Sequence, residues 1–195
     1  MVAVLFGLAA AGAAVADGSV PGPVAQRADV YFSPRGHAQD AVVQMVNEAH
    51  ASVRVAAYAL TSAPVTKALI DAKRRGVDVA VLADHRFNVE HDRSGKGIAA
   101  LNALALAGVS VRTVSKFPIF HDKFIVTDGL NVQTGSFNYS SAAQVANSEN
   151  VLILWNSPGV ARQYLEHWSR RAEESQAYQP LTAKPRVGRD IGDEG

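Results

Sequence analysis

Two residue pairs with i, i+2 spacing are the parts of this 195-residue chain best suited to chemistry. His121 and Lys123 enter the apolar run Phe124 to Val126, and Ser136 and Asn138 follow Gly135 at the end of the next one. Side chains two apart share a face of an extended strand, so imidazole and ammonium point the same way. The hydroxyl and carboxamide repeat that spacing. Asp128-Gly129 between the two runs is a strong hairpin signal and lays the strands side by side. The expected result is one pocket with an imidazole, a cation, a hydroxyl and a carboxamide.

Those groups suit a phosphodiester. A lysine neutralises charge on non-bridging oxygens, while serine and asparagine donate fixed hydrogen bonds to them. Histidine, with an ordinary pKa of about 6.5, serves as nucleophile or proton carrier near neutral pH. Glu149, on a later strand, is a candidate to hold the other imidazole nitrogen and fix its orientation. No carboxylate cluster of the kind that grips magnesium accompanies the set, so catalysis without a metal or other cofactor is expected.

Several elements must position these residues. Asp29 to Phe32 is a short strand, Ala38 to Ala49 a helix with one apolar face, and Ser52 to Leu60 an alternating strand. Ser62 or Thr61 caps the next helix, which has Pro64 early and Gly76 at its end. Val77 to Ala83 reads as a buried strand, Ile98 to Ala107 as a helix, and Val109 to Val114 as a strand. This β-α-β-α-β-α-β order predicts a mixed, largely parallel α/β sheet flanked by helices on both faces. Then come the hairpin, a short helix near Ser141 to Ala146, the strand Glu149 to Trp155 and an amphipathic helix from Pro158 to Glu174. Trp155 and Trp168 are read as core.

Composition bounds the alternatives. The chain is 48% apolar and 19% charged, a globular balance, and its net charge of +1 excludes a strongly basic nucleic-acid coat protein. The absence of cysteine excludes disulfides, thiolate catalysis and cysteine-ligated metals. Val2 to Val15 is almost wholly apolar and runs into Ala14-Val15-Ala16, the small-x-small form of a signal-peptidase site, although Arg27 is the first basic side chain. We expect residues 1–16 to be a signal peptide and the mature protein to be secreted or periplasmic; the competing reading is a buried helix. The run is short for a membrane span, and none is expected in the mature chain. Residues 17–28 read as a linker, 29–178 as a single catalytic domain and 179–195 as a loose tail.

The segment His121-Asp122-Lys123-x4-Asp128, followed by Gly135-Ser136-x-Asn138, resembles the HKD signature of the phospholipase D superfamily, with both halves at the usual separation. With a single motif and no internal repeat, the chain is most similar to the small bacterial endonucleases of that superfamily. The resemblance implies a phospholipase D-like fold in which His121 attacks phosphorus to form a phosphohistidine. It implies that Lys123, Ser136 and Asn138 bind phosphate, that Glu149 orients His121, and that Asp128 supports the motif through hydrogen bonds. Asp122 is expected to face away from the pocket.

In-line displacement needs a nucleophile on one side and an acid on the other. A single motif supplies one imidazole, so a homodimer with a shared cleft is expected. The leading function is a non-specific endonuclease acting on DNA, with RNA also open. The alternatives are a phospholipase D acting on phosphatidyl head groups, for which no apolar rim is evident, and an inactive phosphate- or nucleic-acid-binding protein. His85 and His91, with Asp84 and Asp92, fit no zinc spacing and read as a solvated loop. That loop's Arg86, Arg93 and Lys96 are candidates to overhang the cleft.

Overall fold

The computed structural model describes residues 27–180. The proposed signal peptide, most of the linker and nearly all of the tail lie outside the described residues. The elements are β1 (Arg27–Ser33), α1 (Ala38–Asn47), β2 (Ser52–Ala57), α2 (Ala63–Arg74), β3 (Asp78–Asp84), α3 (Lys96–Leu106) and β4 (Ser110–Val114). They continue with β5 (Lys123–Thr127), β6 (Asn131–Gly135), α4 (Ser141–Val145), β7 (Glu149–Trp155), α5 (Pro158–Glu173) and the two-residue β8 (Gln176–Ala177).

The strands form one sheet in the order β1-β7-β6-β5-β2-β3-β4-β8. It is mixed and helix-covered, as the sequence predicts, but less parallel than expected. Parallel pairing is confined to β2, β3 and β4, where α2 and α3 provide the crossovers. The other neighbouring pairs among the described residues are antiparallel. The excess parallel expectation came from β1: it starts at Arg27, within the expected linker, and pairs antiparallel with β7 at the sheet edge instead of lying beside β2.

Alternation along the buried strands divides the core in two. Val53, Val55, Val79 and Val81 pack with Leu69 of α2 and Leu101 and Leu104 of α3 on one face. Ala56, Leu82, Phe124 and Val126 pack with Tyr164, Leu165 and Trp168 of α5 on the other. Trp168 is half-buried, and its indole N–H donates to the Val55 carbonyl at 2.9 Å. Trp155, also half-buried, donates to Asp29 at 2.8 Å.

Local chemistry sets the element ends. Ser62 caps α2, accepting from the Val65 N–H, with Pro64 in the first turn. The β5–β6 hairpin turns through Asp128 and Gly129, both at positive φ (57° and 66°), closed by the Leu130 N–H on the Thr127 carbonyl at 3.0 Å.

The expected solvated loop after β3 is more ordered than predicted. Arg86–His91 forms a π-helical turn around the buried Asn88, whose carboxamide donates to the Tyr58 and Asp84 carbonyls and accepts from Leu60. Asp84 is buried, and its carboxylate accepts from the N–H groups of Phe87 (2.6 Å) and Phe120 (2.8 Å).

Candidate active site

The end of β2, the starts of β5 and β7 and the end of β6 meet at one end of the sheet's central strands. Register places Ala57 opposite Lys123, Phe124 opposite Thr134, and Gly135 opposite Val151. His121 and Lys123 therefore arrive beside the Gly135-Ser136 corner and the Glu149 end of β7.

The Lys123 side chain is buried (8% exposed), and its ammonium donates to the His121 carbonyl at 3.0 Å. Its Nζ also lies 5.3 Å from the centre of the Tyr58 ring. Burial lowers the Lys123 pKa below the ordinary lysine value, and the nearby Glu149 and Asp122 carboxylates only partly offset this. The His121 ring is exposed and meets the edge of Tyr58 with ring centres 4.8 Å apart.

Across the hairpin, Ser136 Oγ donates to Glu149 Oε2 at 2.6 Å and accepts from the Asn150 N–H at 3.0 Å. Glycine is required just before it. Gly135 has φ +144°, and a Cβ there would lie 2.3 Å from the Asn150 carbonyl oxygen. Glu149 Oε1 accepts from Asn147 at 3.0 Å. The carboxylate is thus bonded to Ser136 and Asn147, in contrast to the expected bond to the imidazole. It stays close enough to Lys123 to act on its charge. Asn138 Oδ1, an acceptor, is buried with no protein partner, and Asn138 is not among the residues that line the cavity at His121.

Asp128 stands apart from this group. It lies beyond the far end of β5, five residues at ~3.3 Å each from Lys123. Its carboxylate accepts from the N–H groups of His50, Ala51 and Ser52 at 2.7–3.2 Å. Burial pushes its pKa up, but the three backbone donors outweigh that and hold it below the ordinary aspartate value. It fastens the hairpin to the start of β2 and cannot touch a substrate at the His121 end.

Three positioning residues escaped the sequence reading. Tyr58 touches His121, Lys123 and Phe87, whose ring centre is 4.9 Å away. Nothing local in the sequence pairs β2 with β5. Asn147 and Asn150, which hold Glu149 and Ser136, read as ordinary turn and strand residues. Asp122 turns toward α5, as alternation requires, yet it also lines the cavity of about 400 Å³ shared by His121, Lys123, Gly135, Gln163, Tyr164 and His167. The His85 ring bonds Thr113 at 3.2 Å and lies 3.4 Å from Glu90. Among the described residues no group of three or more His, Asp or Glu side chains is arranged to hold a metal ion. No described helix is long and apolar enough to cross a membrane.

Comparison with known proteins identifies the family and the fold. A family model described as cardiolipin synthase, PLD-like domain, matches residues 42–171. The crystal structure of Nuc from Salmonella typhimurium, a phospholipase D family member, is 42% identical in sequence. It superposes with a TM-score of 0.75 over 78% of this chain and 98% of that one. The chain is also similar to a phospholipase D of Rickettsia conorii, 36% identical over 141 residues, covering 72% of this chain and 66% of the relative. A mitochondrial cardiolipin hydrolase of Xenopus laevis is 32% identical over 141 residues, covering 72% of this chain and 62% of the relative.

Proposed function

Because the chain belongs to the phospholipase D superfamily, we propose that it is a metal-independent phosphodiesterase, and specifically a non-specific endonuclease. The observation that supports the reading is the β5–β6 register, which brings His121 and Lys123 beside the Gly135-Ser136 corner. The Lys123 ammonium, the Ser136 hydroxyl and one accessible imidazole stand at that corner, with Asn138 two residues further along the chain.

The steps follow from these groups. A His121 ring nitrogen attacks phosphorus; the N–P bond forms as the P–O bond to the departing alcohol breaks. Lys123 and Asn138 stabilise the charge on the non-bridging oxygens. Ser136 joins them when its hydroxyl proton turns from Glu149 to a phosphate oxygen. The leaving oxygen takes a proton from a second imidazole. Water then gives a proton back to that imidazole and adds to phosphorus, and the N–P bond breaks to regenerate His121. The chain carries one such motif, so the second imidazole is His121 of another copy in a two-fold dimer.

Nuclease activity is favoured by the resemblance to Nuc, of which the chain covers nearly the whole length. Phosphate-backbone contacts suffice for a nuclease without sequence preference. One observation favours a lipid substrate instead. An apolar groove of about 730 Å³ runs between α2, α3 and α4, lined by Ile70, Ala99, Ala103 and Val145. It reaches Thr61 and Ser62, whose N–H groups donate to the carbonyl of Tyr139, next to Asn138.

Purified protein incubated with plasmid DNA and, separately, with phosphatidylcholine vesicles, each in excess EDTA, decides between them. Loss of DNA in EDTA is expected. Choline release without DNA cleavage would make the enzyme a phospholipase, and loss of all activity in EDTA would refute the metal-free mechanism.

A further inference from the structure

Asp122 stands between His121 and Lys123, just before β5, and its carboxylate turns toward α5. There it meets His167 of α5, whose Nε2 lies 2.7 Å from Asp122 Oδ2. A carboxylate accepts, so the imidazole donates. Both side chains are about one third exposed, which puts the pair at the rim of the cavity that also contains His121 and Lys123.

Two features make this pair more than a surface contact. First, α5 is a fixed platform. Trp168 bonds the Val55 carbonyl at 2.9 Å, Tyr164 packs on Phe124 with ring centres 4.8 Å apart, and the His167 ring lies 6.0 Å from Phe124. Second, the segment carrying His121 has little order of its own. Residues 115–122 form neither helix nor strand. They are held at Lys116 by Glu174, at Phe117 by the Arg171 guanidinium over its ring, at Pro118 by Arg86 on its carbonyl, at Phe120 by Asp84, at His121 by the Lys123 ammonium on its carbonyl, and at Asp122 by the Tyr58 N–H on its carbonyl and by His167 on its carboxylate. Among these ties the bond to His167 is the one made by a side chain adjacent to His121. The exposed His121 ring has the Tyr58 edge beside it but no bonded partner of its own among the described residues.

We infer that Asp122 and His167 form a positioning pair that fixes the backbone at His121 and so aims its imidazole at phosphorus. The His167 N–H also occupies one oxygen of the Asp122 carboxylate, which acts on the charge of Lys123. Neither residue touches the reacting atoms. A nucleophile misplaced by about 1 Å loses on the order of a hundredfold in rate. The inference rests on His121 being the nucleophile.

The test is turnover of the small chromogenic diester bis(p-nitrophenyl) phosphate, which reports on chemistry with either a nuclease or a lipase. Asp122→Ala and His167→Ala should each lower kcat by about ten- to a hundredfold, with a smaller change in KM. The double variant should be no worse than either single one, because one bond is lost in all three. Asp122→Asn, which still accepts from Nε2, should restore most of kcat. Thermal melting is recorded alongside. If the alanine variants fail to fold, the same inference requires Asp122→Asn to stay near wild-type kcat and Asp122→Leu, a similar-sized group without an acceptor, to lose it. Wild-type kcat in folded Asp122→Ala or His167→Ala, or an Asp122→Asn as impaired as the alanine variant, overturns the inference. His121→Ala separates it from its premise: a fully active His121→Ala protein removes the nucleophile itself, whereas an inactive one beside fully active pair variants removes only the positioning role.

Discussion

At Lys123, position and charge state are linked. The ammonium sits in a buried slot between the His121 carbonyl and the Tyr58 ring, and burial makes its proton easier to lose. Activity that needs the cation should therefore fall as pH rises, with an alkaline limb below the ordinary lysine value of 10.5. A kcat/KM profile checks this, and Lys123→Arg, if active, should shift the limb upward. Lys123→Ala should cost about 3–4 kcal/mol of transition-state stabilisation, as for a lost oxyanion donor. Asp128 is the contrasting case. Its Ala variant should lower stability by about 1–3 kcal/mol, because three N–H groups lose their acceptor. Once folded, the variant should keep its turnover. The Asp128 carboxyl is depressed in the folded state. Its contribution is therefore full above the ordinary value of 3.8 and lost as pH falls through the lower folded value. Denaturant melts of wild type and Asp128→Asn should accordingly converge in strong acid.

Among the elements, the β5–β6 hairpin delivers one half of the site to the other, and its corner leaves no spare room. Gly135→Ala would drive a Cβ against the Asn150 carbonyl and push Ser136 off Glu149. Activity should drop at least about tenfold, with a lowered melting temperature, in a paired assay and melt. This hairpin was legible in the sequence because its signals are local: Asp128-Gly129 at the turn and apolar alternation on either side. The i, i+2 pairs were legible for the same reason. The β2–β5 pairing was not, since no local pattern links strands so far apart in the chain, and Tyr58 was missed with it. Glu149 was recognised as an acid near the site, but its attachment to Ser136 and Asn147 depends on how β7 crosses β6. The π-helical turn was hidden because Asn88 and Asp84 look like loop polars until their burial is seen.

For the whole molecule, one end of the central strands carries a single candidate motif. If a second copy completes the site, as proposed, specific activity should depend on protein concentration, with a loss on dilution that tracks dissociation in analytical ultracentrifugation. Undiminished activity in a dissociated monomer would exclude the shared cleft. The apolar groove between α2, α3 and α4 offers a further check at this scale. If it seats acyl chains, Val145→Asp should abolish turnover of vesicle substrate and spare DNA cleavage. The central claim is that His121 becomes covalently bonded to phosphorus. It is tested most directly by rapid quenching during turnover of a labelled oligonucleotide, followed by mass spectrometry under alkaline conditions that preserve phosphoramidates. The expected result is an acid-labile phosphoryl adduct on the His121 peptide, absent from His121→Ala. A substrate-saturated, active enzyme with no adduct on that peptide, together with a His121→Ala variant that turns over normally, would contradict it.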